Sequence, residues 1–230
     1  MLRASERVGA AALTIILVGM ISRRTSLDNK RNSENHIDDS LSVYVYDHDW
    51  CRIFHAGAIL RMCEDSKAPV TCAVIDDEKQ VRQQGHTSGQ GDTFAVPIVE
   101  YGGTRISQSV TATAFAGETL GFAADAPLKA VQYMLDLRDF VSNADPSIDG
   151  LDVDKFDGLV QSGRVDDWLG QFERSIVGPY YFGASATYVD YYLWSMMRWL
   201  THRLEGKTDF PGLLLANYTK VEGVLRALSR

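Results

Sequence analysis

The sequence predicts an α/β domain followed by an all-helical domain. Strand-like and helix-like patterns alternate over residues 41–122, whereas no strand pattern occurs after residue 125. Of the 230 residues, 45% are hydrophobic and 23% are charged, so the chain can bury a core of ordinary size. We therefore divide the chain into a segment 1–40, an α/β domain 41–122 and an all-helical domain 126–230.

Four strands and two helices are predicted in the α/β domain. The strand segments are rich in β-branched and aromatic residues, and the helix segments carry apolar residues three and four positions apart. Residues 76–93 are polar and lack a clear period, which predicts a loop with at most a short helix. In order, the elements are strand 41–46, helix 53–62, strand 69–75, strand 96–100, strand 105–107 and helix 109–119.

Helical patterns fill the second domain. Pro127 suits the first turn of a helix whose apolar stripe extends to Val141, and a second stripe runs over residues 156–172. Residues 188–204 are aromatic and hydrophobic on most sides, which predicts a central buried helix. One or two short helices over residues 213–228 complete the domain.

The charge distribution sets the N-terminal segment apart. The net charge of −7 argues against nucleic acid as the main partner. Residues 1–31, however, carry six basic and only two acidic residues, and they surround an uncharged stretch at residues 8–21. This stretch is shorter than the roughly 20 residues that span a bilayer, but it has the length of a signal-peptide apolar region.

We expect a signal peptide or an uncleaved signal anchor, although no good cleavage site follows. Membrane association would then involve residues 8–21. An organelle-targeting presequence and a disordered or untranslated tail are the alternatives.

Cysteine usage favours a reducing compartment. The three cysteines, Cys51, Cys63 and Cys72, are an odd number without metal-ligand spacing, so no disulfide framework is expected. We interpret Cys63 and Cys72 as small core residues. The five histidines show no metal-ligand spacing either, and no metal site is predicted.

Three residue pairs carry chemistry at defined spacings. Tyr46 ends the first strand, and Arg52 follows six residues later at the start of the first helix. Val96-Pro97 opens the third strand. Gln108-Ser109 begins eleven residues after that proline, where the last helix of the α/β domain starts.

A fourth motif lies in the central helix of the second domain. Thr187 and Asp190 have the spacing of a capping box. In this motif the N-cap side chain and the side chain three residues later each accept a hydrogen bond from the backbone N–H of the other residue. In their order and spacing, the four motifs resemble those of soluble glutathione transferases, most closely the tyrosine-type, sigma-like branch. The resemblance covers residues 41–230, and it implies a thioredoxin-like domain followed by the helical domain of that family.

The resemblance implies that Tyr46 is the catalytic residue and that Arg52 supports the site electrostatically. The thiol of free glutathione has a pKa of about 8.5, and the thiolate is the nucleophile. A hydroxyl that donates a hydrogen bond to the sulfur lowers this pKa. Tyr44 lies on the same face of the strand and is the competing tyrosine.

Glutathione is the co-substrate that the resemblance implies. Val96, before a cis Pro97, would pair with its cysteinyl backbone, and Gln108 and Ser109 would hold its γ-glutamyl carboxylate at a helix N-terminus. Asp139, with Asp136 as the alternative, would reach its α-amino group across a homodimer.

Two features depart from the family pattern. The residues that usually hold the glycyl carboxylate of glutathione are replaced by Gln84 and Ser88, where Arg82 or Lys79 could substitute. Cys51 lies near the nucleophile position of cysteine-type relatives, so thiol-transferase chemistry is an alternative.

The expected function is conjugation or isomerisation of small hydrophobic electrophiles with glutathione. A non-catalytic protein that keeps the fold for binding or assembly is the main alternative, because the glycyl-carboxylate residues differ. A prostaglandin-type isomerase, as among sigma-like relatives, is a narrower one.

Overall fold

The computed structural model of the protein describes residues 40–84, 95–144, 153–207 and 209–230. The targeting segment expected at 1–40, including residues 8–21, therefore lies outside the described residues except for its last position, and so does Ser88. Residues 38–230 form one compact unit. No helix among the described residues is both long and apolar enough to cross a bilayer.

A four-stranded mixed sheet forms the first part of the fold. The strands are β1 (Ser40–Tyr44), β2 (Thr71–Ile75), β3 (Ile98–Tyr101) and β4 (Thr104–Ser107). They lie in the order β2-β1-β3-β4, with β1 and β2 parallel and the other pairs antiparallel. This is the predicted strand order along the chain, and β1 alternates buried and half-buried side chains as its sequence indicates.

Four helices accompany the sheet. They are α1 (Trp50–His55), α2 (Gly57–Asp65), α3 (Glu78–Gln84) and α4 (Ser109–Leu120). The short helix allowed within residues 76–93 is therefore present as α3. Strand β2 lies at one edge of the sheet and leads toward α3, and β4 lies at the other edge and leads into α4.

The single helix predicted over residues 53–62 is wrong, since it forms as two pieces. The first piece, α1, has π-type hydrogen bonding, and α2 starts at Gly57. A side chain at Gly57 would place its Cβ 2.6 Å from the Ser195 hydroxyl oxygen, and that hydroxyl donates a hydrogen bond to the Ile53 carbonyl. Apolar spacing does not reveal this close approach of two backbones.

Within the described residues after 125, six helices make up the second part. They are α5 (Pro127–Ala144), α6 (Val153–Gln161), α7 (Arg164–Ser175), α8 (Tyr188–Leu204), α9 (Phe210–Asn217) and α10 (Thr219–Leu228). The stripe over residues 156–172 belongs to two helices rather than one. Gly163 separates them with a φ of 75°, a conformation that ends helices and favours glycine.

Helix α8 is the predicted central helix, and its burial is confirmed. It packs against α2, α4, α5 and α10, so it joins the sheet layer to the helical layer. The predicted capping box is also present. The buried Asp190 carboxylate accepts hydrogen bonds from the N–H groups of Thr187 (2.8 Å) and Tyr181 (2.9 Å), while burial raises its pKa to about 6.

The interpretation of Cys63 and Cys72 as unpaired core residues is wrong. They form a disulfide with a Cα–Cα distance of 5.8 Å, which joins the last turn of α2 to β2. The return of the chain from α2 into β2 brings the two residues together, and spacing in sequence alone does not predict it. Since disulfides persist in oxidising compartments, the expectation of a reducing compartment loses its basis.

Candidate functional site

Two of the predicted motifs meet at the N-terminus of α4. The Val96–Pro97 peptide bond is cis, as the resemblance implies. The N–H of Gln108 donates a hydrogen bond to the carbonyl of Ala95 at 3.4 Å, which ties the start of α4 to the chain just before this bond. The cis peptide, Gln108 and Ser109 therefore lie side by side.

Gln108 adopts a backbone conformation that favours glycine. It is the non-glycine residue with positive φ among the described residues, and its angles are φ 73° and ψ 134°. Such conformations cost about 1–3 kcal/mol and cluster at ligand clamps. Its side chain does not cap α4, so the free N–H groups of the first helical turn remain available to an anion.

Ser109 contributes a buried hydroxyl to the same place. The residue is 3% exposed, and its Oγ lies 3.3 Å from the Tyr192 hydroxyl on α8. Burial raises the pKa of Tyr192 to about 12, so this phenol keeps its proton at physiological pH. The sequence analysis missed Tyr192, because it is one aromatic residue among many in a helix that is apolar on most sides.

Tyr46 follows β1 by two residues and is partly exposed. Its N–H donates to the Cys51 sulfur at 3.4 Å, and the N–H of Cys51 donates to His48 Nδ1 at 3.2 Å. The turn between β1 and α1 is thus closed by local hydrogen bonds that leave the Tyr46 ring at its surface.

The competing tyrosine has a different environment. Tyr44 lies beside Glu100 and Arg105 on the neighbouring strands, and burial together with the Glu100 carboxylate raises its pKa. It is therefore placed among the side chains of the sheet rather than in the turn that follows. This arrangement favours Tyr46 as the residue that faces a ligand.

Cys51 does not have the environment of a reactive thiol. It is buried and unpaired, and burial raises the pKa of its thiol. A reactive cysteine needs access and a lowered pKa. Both features oppose the thiol-transferase alternative.

Arg52 lies between two carboxylates. Its Nη1 donates to Asp47 at 3.1 Å and to Asp76 at 2.9 Å, so the guanidinium joins the turn after β1 to the residue after β2. The positive charge of Arg52 is balanced by the two carboxylates. These ion pairs hold the turn between β1 and α1, which contains Tyr46, against the end of β2.

A row of rings extends from Tyr46 toward α8. The ring centroids of Tyr46 and His48 lie 6.0 Å apart, and those of His48 and Trp50 lie 6.3 Å apart. The Trp50 and His55 rings meet edge to face, with their centroids 4.2 Å apart. Burial, with smaller effects of Arg138 and His48, lowers the pKa of His55 to about 4, so its imidazole is neutral at physiological pH. These rings form an aromatic surface next to the candidate catalytic tyrosine.

Arg138 on α5 is a half-buried cation that the sequence analysis did not assign to the site. Its charge lowers the pKa of His55 and opposes the burial effect at Tyr192. A positive charge that acts on Tyr192, the hydrogen-bond partner of Ser109, favours anions at this place.

The two aspartates on α5 differ in their partners. The Asp136 carboxylate accepts a hydrogen bond from the Gln171 side chain at 3.1 Å. Asp139 is exposed, and no partner for its carboxylate occurs among the described residues. The available carboxylate is therefore that of Asp139.

Helix α3 follows β2, the strand at the other edge of the sheet. Gln84 is its last residue, and Arg82 pairs with Glu78 at 2.7 Å on its exposed surface. The hydrogen bond and charge of Glu78 raise the pKa of Arg82. Arg82 is thus a cation on the same helix as Gln84, which replaces one of the residues that usually hold the glycyl carboxylate.

A separate cleft lies between α2, α8 and α10. Its volume is about 840 Å³, and Arg52, Trp194 and Arg198 are among its lining residues. Neither Gln108 nor Ser109 lines it. Among the described residues no group of three or more His, Cys, Asp or Glu side chains is arranged to hold a metal ion.

No protein-family model and no curated protein matches the chain. Similar solved structures exist, and three of them are NaGST-2, prostaglandin synthase D of Nilaparvata lugens and a Nu-class GST from Haemonchus contortus. NaGST-2 is 13% identical over 82% of this chain and 90% of its own, with a TM-score of 0.58.

The other two are equally distant in sequence. The Nilaparvata lugens protein is 14% identical over 82% of this chain and 92% of its own, with a TM-score of 0.54. The Haemonchus contortus protein is 14% identical over 82% and 90%, with a TM-score of 0.56. The chain therefore has the fold of glutathione transferases, with a thioredoxin-like part followed by a helical part.

Proposed function

We propose that the protein is a glutathione transferase of the tyrosine type, which activates the thiol of glutathione for attack on small hydrophobic electrophiles. The observation that carries this proposal is the meeting of the cis Val96–Pro97 bond with Gln108 at the N-terminus of α4. A strained, uncapped helix start beside the half-buried Val96 suits a peptide that ends in a carboxylate.

Glutathione would bind along this edge. The carboxylate of its γ-glutamyl residue accepts hydrogen bonds from Ser109 and the free N–H groups of α4, and its cysteinyl backbone pairs with Val96. The thiol then lies near Tyr46, whose hydroxyl donates a hydrogen bond to sulfur and stabilises the thiolate. The thiol proton passes to water, and the thiolate sulfur then forms a bond to the electrophilic carbon while that carbon loses its leaving group, which is chloride for a chloronitrobenzene.

The row of rings from Tyr46 through His48 to Trp50 favours a second substrate that is hydrophobic and planar, because such a molecule could stack on these rings. Aromatic surfaces bury large apolar areas and stack on other rings. The neutral state of His55 keeps a charge out of this surface.

Arg82 is the proposed partner of the glycyl carboxylate. It would take the place of the residues that Gln84 and Ser88 replace, and it lies two residues before Gln84 on α3. If no residue replaced them, the loss of a charge-assisted contact would cost about 1.5–3 kcal/mol in glutathione binding. The non-catalytic alternative rests on such a loss.

The disulfide bears on the N-terminal segment. We infer that residues 1–40 direct the body to an oxidising compartment, as a signal peptide or as an anchor through residues 8–21. The Cys63–Cys72 bond supports this inference, because structural disulfides persist where thiols are not kept reduced.

Tyr46→Phe tests the catalytic assignment. The variant should lower turnover with a chloronitrobenzene substrate by roughly ten- to a thousand-fold, since one hydrogen bond to the developing thiolate is lost. Tyr44→Phe, which removes the competing hydroxyl from the same strand region, should leave turnover within about twofold of the unchanged protein.

Calorimetry with glutathione, read together with the turnover of Tyr46→Phe, decides between a transferase and a non-catalytic protein. Glutathione binding together with the loss of turnover in Tyr46→Phe supports a transferase. Full activity of Tyr46→Phe would reject the role of Tyr46, and absence of binding at millimolar glutathione would favour the non-catalytic protein.

A further inference from the structure

The hydrogen bond between Ser109 and Tyr192 crosses from the sheet layer to the helical layer. Ser109 begins α4, and Tyr192 belongs to the central helix α8. Their hydroxyl oxygens lie 3.3 Å apart, and the residues are 3% and 1% exposed, so water does not compete for this contact.

Either hydroxyl can donate in this contact, because each has one proton and the oxygen of the other is within reach as its acceptor. If the Tyr192 hydroxyl donates to the Ser109 oxygen, the proton left over belongs to Ser109 at the start of α4; if Ser109 donates, the phenol proton is left over within the buried helix α8. Because a buried donor without an acceptor is unfavourable, the arrangement in which Tyr192 donates is favoured when a ligand at the start of α4 accepts the Ser109 proton.

The proton of Ser109 is then left for a ligand. The described residues offer it no other acceptor, and it lies at the uncapped N-terminus of α4 beside Gln108. Burial keeps the pKa of Tyr192 at about 12, so the phenol remains a donor across the physiological range. The nearby Arg138 adds positive potential.

We propose that Tyr192 is a positioning residue, which turns the Ser109 hydroxyl outward so that it donates to the γ-glutamyl carboxylate of glutathione. This inference rests on the proposed function. It makes the helical part of the protein a participant in glutathione binding, because a residue of α8 sets the orientation of a donor on α4. Hydrogen bonds in such a chain also strengthen one another.

Calorimetric titration with glutathione tests whether Tyr192 acts through Ser109. The variants are Ser109→Ala, Tyr192→Phe and the double variant. Tyr192→Phe should weaken binding about three- to tenfold, which is the effect of one neutral hydrogen bond. The double variant should bind no more weakly than Ser109→Ala, because Tyr192 acts only through Ser109.

A matched control is Tyr181→Phe. The Tyr181 hydroxyl is also buried, but it has no hydrogen-bond partner among the described residues. Removal of this hydroxyl should leave glutathione binding unchanged. Weaker binding in Tyr181→Phe would show that deleting any buried phenol hydroxyl affects glutathione binding.

A second ligand separates positioning from a structural effect. An analogue of glutathione without the γ-glutamyl carboxylate should bind equally to the unchanged protein and to Tyr192→Phe. Equal weakening for both ligands, additive effects in the double variant, or unchanged glutathione binding in Tyr192→Phe would each overturn the inference while leaving the proposed function intact. If the unchanged protein bound no glutathione, both would be overturned.

Discussion

Gln108 combines a backbone cost with a position at the candidate site. Its φ of 73° and ψ of 134° lie in a region that is open to glycine and strained for other residues. The hydrogen bond from its N–H to Ala95 holds the residue in this conformation. A strained glutamine at such a place agrees with the proposed role of Gln108 in holding a ligand.

Substitution of Gln108 separates the two effects. Gln108→Ala keeps the strain, whereas Gln108→Gly removes about 1–3 kcal/mol of it and adds about 0.5–1 kcal/mol of chain entropy cost. Gln108→Gly should therefore be about 1 kcal/mol more stable than Gln108→Ala in urea unfolding. Both should bind glutathione more weakly than the unchanged protein, and a less stable glycine variant would show that the backbone is not strained.

At this scale, spacing in the sequence predicts the residues that follow strands and begin helices. Tyr46, Val96-Pro97 and Gln108-Ser109 lie at such boundaries, where the chain has few alternatives. Tyr192 and Arg138 could not be predicted in this way, because each belongs to a long helix, and only the packing of α8 and α5 against α4 brings them to the site.

Among the elements, β2 depends most on a covalent link. It pairs with β1 alone, and most of its side chains are at least partly exposed. The Cys63–Cys72 disulfide attaches it to α2 across nine positions of sequence. An edge strand with little burial has few other contacts to hold it, so the disulfide is a main source of its stability.

Removal of this disulfide by Cys63→Ser together with Cys72→Ser should lower the free energy of unfolding by about 2–3 kcal/mol. The effect arises because the unfolded chain loses a constraint on a short loop. Urea unfolding with and without a reducing agent measures it.

The reducing agent should destabilise the unchanged protein and have no effect on the double variant, in which Cys51 is the remaining thiol. Equal stability of the two proteins under oxidising conditions would contradict a structural role of the bond.

Element types were predictable because apolar periodicity differs between strands and helices, as the confirmed order of β1 to β4 illustrates. The breaks within helices were not. The junction at Gly57 depends on contact with Ser195 in the distant helix α8, and the one at Gly163 depends on a positive φ.

For the molecule as a whole, one face of α5 has no cover from the residues that the structure describes. Leu128 and Leu135 are 69% and 44% exposed, although both are large apolar residues. They lie seven positions apart and therefore on the same side of the helix, and the exposed Asp139 follows four positions later on that side. We propose that a second copy of the chain covers this face and that Asp139 then lies close to the site of the partner.

Light scattering on Leu128→Glu together with Leu135→Glu tests this homodimer. The unchanged protein should have twice the mass of one chain, and the variant should have the mass of one, because two pairs of carboxylates would have to be buried without partners. Val177→Glu is the matched control, since Val177 is 79% exposed but follows α7 in the chain and does not belong to α5. It should remain a dimer, and a monomeric unchanged protein would contradict the proposal. Since the Asp139 carboxylate would no longer reach a partner, the monomeric variant should also bind glutathione more weakly than the Val177→Glu control.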